Sequence, residues 1–118
     1  MQTAPYYKFY IGDKWEFHFG VVELPSNWES LVFRLDVGLR ENLGASSSVT
    51  IALSKETVPV EETDNYAGWL YGAVERAETE VLKPGKYYAQ VSLWDNGETQ
   101  SQLMEIDVLA GFDREVPV

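Results

Sequence analysis

In five stretches of this 118-residue chain, apolar side chains recur at every second position. Trp15, Phe17, Phe19 and Val21 sit two apart, with Glu16, His18 and Gly20 between them. Leu31, Phe33, Leu35 and Val37 repeat the pattern, as do Val49, Ile51 and Leu53. Tyr87, Ala89, Val91 and Leu93 continue it, and Met104, Ile106 and Val108 close it. Period two places alternate side chains on opposite faces of an extended strand, so each stretch reads as a strand with one buried face. Trp69, Tyr71 and Ala73 form a weaker set, and Tyr7, Phe9 and Ile11 offer one more strand at the start.

Turn formers separate these stretches. Gly12-Asp13 precedes the Trp15 run, and "ELPSNWES" follows it with Pro25 and Asn27. "GLRENLGASSS" and "SKETVPVEETDNYAG" are longer polar loops. Asp95-Asn96-Gly97 is a tight-turn signal, because Asn and Gly tolerate positive φ, so its flanking strands should form an antiparallel hairpin. Residues 75–83 are ambiguous. Val74, Ala77, Val81 and Leu82 fit a helical face, and the reading adopted is a strand to about Val74 followed by a short helical turn. The expected fold is all-β: an antiparallel β-sandwich of about seven strands, built as a single domain over residues 1–118. Residues 1–10 are an arm or a first strand, and residues 110–118 a loose tail.

Charge narrows the function classes. The net charge is −10, and the acids lie mainly in the second half: twelve against four bases over residues 60–118, seven against five before that. Such a surface repels phosphate backbones and anionic membranes. With no Cys, the chain has no disulfide, thiolate nucleophile or zinc thiolate. "MQTAPYYKFYIGDKWEF" lacks the basic start and long apolar run of a secretion signal.

Reactive chemistry finds little support. His18, the only histidine, alternates with Phe17 and Phe19 and should face solvent, and no nucleophile–base pair can be assigned to it. The carboxylates are scattered. Glu61, Glu62 and Asp64 cluster in "EETDN", but their spacing does not match the twelve-residue calcium loop, whose Gly is missing. "GWLYG" and "GASSS" lack the Lys and spacing of a phosphate loop. The expectation is a protein that is not an enzyme and that carries no cofactor or metal.

Three stretches resemble a recurring type of small Ig-like β-sandwich found in phage and prophage virion proteins, similar to the N-terminal domain of phage upper baseplate proteins. "IGDKWEFHF" resembles its opening strand, "SLVFRLDV" its second strand, and "ETEVLKPGKYYAQVSLWDNGETQSQLMEIDVL" its closing hairpin. Leu82, Gly85 and Tyr87 stand in the Leu-x-x-Gly-x-Tyr places of that hairpin. The likeness covers roughly residues 11 to 109. Fibronectin type III domains share a Leu-x-Pro-Gly corner, with the Tyr six residues after the Leu. Tyr88 has that spacing, but Tyr87 is in phase with Val91 and Leu93. Pro84 fixes φ, Gly85 permits the bend, and Tyr87 should lie beneath it as a tyrosine corner.

The resemblance implies a structural protein of a phage or prophage virion: a tail, baseplate, neck adaptor or capsid decoration component acting through protein–protein contacts. Its partners would be other virion proteins and copies of itself, assembled in the bacterial host cytoplasm, with neither nucleic acid nor membrane. Tyr6, Tyr7, Phe9, Trp28 and Trp94 are the candidate interaction residues, since aromatic side chains suit interfaces. The alternative is a carbohydrate-binding or adhesion module using exposed Trp or Tyr, with Trp94 and Trp28 as stacking platforms. A third class is an accessory domain of a larger surface protein, or an acidic inhibitor that mimics nucleic acid.

Overall fold

A computed structural model describes residues 7–95 and 97–111. Eight strands form two sheets that pack face to face. They are β1 (Tyr7–Tyr10), β2 (Trp15–Val21), β3 (Val32–Leu39), β4 (Val49–Ala52), β5 (Ser54–Glu56), β6 (Gly68–Val74), β7 (Gly85–Asp95) and β8 (Glu98–Leu109). The larger sheet has the order β1-β8-β7-β3-β4 and the smaller β2-β6-β5. Neighbours are antiparallel except β1, which runs parallel to β8 with Tyr7 opposite Ile106. The chain crosses between sheets from β1 to β2, from β2 to β3, from β4 to β5 and from β6 to β7. That connectivity is an Ig-like β-sandwich whose larger sheet carries an extra edge strand.

The period-two residues build the core. Trp15, Phe17, Leu35, Val37, Leu70, Val74, Ala89 and Ile106 are fully buried between the sheets. Trp15 keeps its polar edge satisfied there, because its indole N–H donates to the Tyr10 carbonyl at 2.8 Å. No buried side-chain nitrogen or oxygen among the described residues lacks a partner.

Two strand readings are corrected. The run Val49–Leu53 is not one strand. It breaks at Leu53, whose N–H still donates to Phe33 in the larger sheet while Ser54 pairs with Tyr71 in the smaller. This sheet switch, with β1, raises the count to eight. In β6 the buried residues are Gly68, Leu70, Gly72 and Val74, so Trp69, Tyr71 and Ala73 occupy the outer face. The short helix α1 (Arg76–Thr79) follows β6, as the sequence reading expected; Ala77 and Val81 are exposed and Thr79 is its buried residue. Its hydroxyl donates to the Asp13 carbonyl at 2.7 Å, which ties the helix to the β1–β2 connection. Residues 1–6 and 112–118, which include Tyr6 and most of the expected tail, lie outside the described residues.

The corner after α1 is the best-defined loop. Gly85 has φ +150°, a value that suits glycine. Tyr87 is only 2% exposed, and its hydroxyl donates to the Lys83 carbonyl at 2.6 Å. Leu82 packs against the core, while Tyr88 lies on the outer face of the larger sheet beside the Arg40 guanidinium. Asp95 pairs with Glu98 across the final hairpin, whose turn residue Gly97 has φ +85°.

Candidate functional site

The smaller sheet turns an aromatic face outward. Its strands are antiparallel and in register, with His18 opposite Tyr71, Gly20 opposite Trp69, and Ser54 opposite Tyr71 on the other side. The inner positions of β2 and β6 are committed to the core, so alternation delivers His18, Trp69 and Tyr71 to the outer surface. His18 lies 5.1 Å from the Tyr71 ring and 6.0 Å from the Trp69 ring, centroid to centroid. Tyr66 meets Trp69 edge-on at 5.7 Å. The Tyr66 ring lies directly on Gly20, where any Cβ would come within 2.3 Å of it. Glycine at 20 is therefore what lets the ring lie flat on the strand.

Polar groups lock this row. The Trp69 indole N–H donates to His18 Nδ1 at 3.3 Å, and His18 Nε2 faces Glu16 at 3.9 Å. The Tyr71 hydroxyl donates to the other Glu16 oxygen at 3.3 Å. The outcome is a half-exposed stripe of four rings with acid on its border. Large flat side chains held in place lose little entropy on contact, which suits them to binding another surface.

Next to this stripe lies the free edge of β2. The Tyr7 hydroxyl donates to the His18 carbonyl at 3.1 Å and accepts from the His18 N–H at 3.4 Å. One phenol thus occupies the outward backbone groups of His18. The antiparallel alternation aims the main chain of Glu16 and Gly20 in the same direction.

The larger sheet presents a different outer face. A depression of about 560 Å³ lies under the 42–47 loop. Asp36 on its floor accepts from Arg34 Nε at 3.0 Å, Thr50 Oγ1 at 2.6 Å and Ser47 Oγ at 3.2 Å. These three donors hold the carboxylate within the protein's own network. Gln90, Ser92 and Ser101 extend the polar strip, with the two serine hydroxyls 2.9 Å apart.

The residues expected to form an interaction surface are dispersed. Tyr7 and Phe9 are not an outward arm. Both turn inward, stacked on each other and tilted against Phe17, with Phe9 also stacked on Trp15. Trp28 is not an open loop platform either, since it packs on Phe33 at 5.5 Å with Lys55 over it at 5.4 Å. Trp94 does lie on the outer face of the larger sheet, with the Arg34 guanidinium 4.7 Å above its ring. The row that the structure assembles instead is Tyr66, Trp69, His18 and Tyr71. The phase of β6 hid it, because two glycines occupy inner positions and contribute no apolar signal. Counting back by twos from Val74 reaches Leu70 and would have exposed the true phase.

Among the described residues no three His, Asp or Glu side chains converge as a metal cluster, and no helix is long and apolar enough to cross a membrane. The chain matches neither a known protein-family model nor a curated protein sequence.

Proposed function

We propose that this protein is a non-catalytic assembly module: a structural component of a phage or prophage virion that works through protein–protein contacts. The observation that carries the reading is the outer aromatic row on the smaller sheet. Trp and Tyr are the residues that most often dominate binding energy at protein interfaces. Here they sit at the centre of a sheet face and are fixed by their own hydrogen bonds. The adjoining β2 edge adds main-chain groups with which a partner strand can pair. The virion assignment draws on the resemblance of residues 11–109 to Ig-like phage proteins, and assembly would take place in the host cytoplasm with copies of itself and other virion proteins.

The test is immunogold labelling of phage particles from the source strain, together with mass spectrometry of the same particles. Label at a fixed place, and loss of incorporation in Trp69→Ala/Tyr71→Ala with the fold intact, is the expected result. Intact particles with neither label nor peptides would remove the virion reading. A glycan array whose signal disappears in Trp94→Ala would install the carbohydrate-binding reading instead. In the free protein the Arg34 guanidinium lies over that ring and would have to move aside for a sugar to stack on the same face.

A further inference from the structure

The sandwich is electrically polar along its strands. Strand directions put the 22–31 and 57–67 loops and the β7–β8 turn at one end, and the 11–14, 40–48 and 75–84 segments at the other. The end of β5 reaches the first of these loops, where the Lys55 ammonium donates to the Glu29 carbonyl at 3.2 Å. At this end one loop supplies Glu23 and Glu29, the last residue of β5 is Glu56, and the next loop supplies Glu61, Glu62 and Asp64. Asp95 and Glu98 flank the turn, and the two loops carry no base, Lys55 of β5 lying beside them. At the opposite end acids and bases are nearly matched. The segments carry the acids Asp13, Glu41, Glu75, Glu78 and Glu80 and the bases Lys14, Arg40, Arg76 and Lys83.

Bases gather at one corner of that end. A depression of about 510 Å³ is walled by Arg40, Lys83 and Lys86 and floored by Leu39 and Pro84, with Glu41 its one acid. Lys86 pairs with Asp107. Among the described residues Arg40 and Lys83 have no carboxylate within ion-pair distance, although the chain carries ten surplus acids. At the acidic end, the 3-10 turn Val60–Glu62 carries the opposite charge beside an apolar side chain. Val60 is 87% exposed and is followed by Glu61 and Glu62.

We propose that this corner pocket receives the acidic end of a second copy, with Val60 on the Leu39–Pro84 floor and Glu61 and Glu62 against Arg40 and Lys83. The contact joins opposite ends of the molecule. It is therefore heterologous, and copies add head to tail into a ring or a filament. The inference rests on the reading of the chain as a structural assembly module and names the partner surface.

Sedimentation equilibrium of the full chain tests it. In low salt the weight-average mass should rise with concentration above the 13.4 kDa of one chain. At about 1 M salt, where charges are screened within about 3 Å, it should return to one chain. Arg40→Glu/Lys83→Glu and Glu61→Lys/Glu62→Lys should each weaken association about tenfold or more, because like charges then face each other. All four substitutions in one chain should restore it. Circular dichroism checks that these exposed loop changes leave the fold intact. A mass of one chain at every concentration in low salt overturns the proposal, and so does association that both charge reversals leave unchanged. Either result leaves the immunogold test standing, whereas unlabelled particles with head-to-tail association intact would sink the virion reading alone.

Discussion

Tyr87 concentrates the physics of a single side chain in this fold. Its ring fills the core beneath the Pro84–Gly85 corner, and its hydroxyl closes the turn by bonding to the Lys83 carbonyl. Tyr87→Ala should cost about 3–5 kcal/mol as a large buried aromatic truncation, and Tyr87→Phe about 1 kcal/mol for the lost bond. Urea denaturation measures both, and a near-zero shift for the Ala variant would refute the corner's role. Burial pushes the phenols of Tyr7 and Tyr87 above the usual tyrosine range. The folded protein therefore holds these protons more tightly than the unfolded chain. Their contribution is full below about pH 10 and is lost as pH rises through the raised folded-state values. Stability should fall above about pH 10, with a shallower slope in Tyr7→Phe/Tyr87→Phe. Gly72 is a second sensitive position, since a Cβ there would stand 2.5 Å from Leu53 and 3.0 Å from Ile51. Gly72→Ala should cost about 1–3 kcal/mol by overpacking.

At the scale of elements, the informative feature is how strand edges are managed. β5 has only three residues, and β1 covers the β8 edge. The β2 edge is capped at one point by the Tyr7 hydroxyl. Tyr7→Phe removes that cap, and the His18 amide should then exchange with solvent about fivefold faster, the equivalent of about 1 kcal/mol. Hydrogen exchange followed by NMR reads this directly, and unchanged protection at His18 would show that the phenol does not guard the edge. The strands themselves were legible wherever apolar residues alternated without interruption, as in Trp15–Val21, Leu31–Val37 and Tyr87–Leu93. β6 was misphased because its inner face uses Gly68 and Gly72, chosen to fit the Leu24, Trp28 and Leu53 side chains packed over them. That reason belongs to the neighbours and is invisible within the segment. The short helical turn after Val74 was legible, but its anchor was not: the buried contact is the Thr79 hydroxyl, which carries no apolar signature.

For the whole molecule, charge sets both stability and association. A chain of net charge −10 with eight acids at one end repels itself when folded. In dilute solution, where copies do not meet, raising salt should increase stability by about 1 kcal/mol, or about 4 °C in Tm, by screening that repulsion. Calorimetry at several salt concentrations checks it, and a flat response would mean that the acids are already well spread. At higher concentration the same polarity is what would draw the acidic end of one copy to the basic corner of another.

By itself the sequence determined the all-β class, the closing hairpin and the tyrosine corner. These depend on period-two alternation and on local turn chemistry, which neighbouring residues can specify alone. Only the tertiary structure decided that Val49–Glu56 switches sheets and that Tyr7 and Phe9 turn inward. It also joined Tyr66, Trp69, His18 and Tyr71 into one row, and Arg40, Lys83 and Lys86 around one pocket. Each of these rests on contacts between residues distant in the chain. Register and sheet packing create such contacts, and no local pattern of residues encodes them.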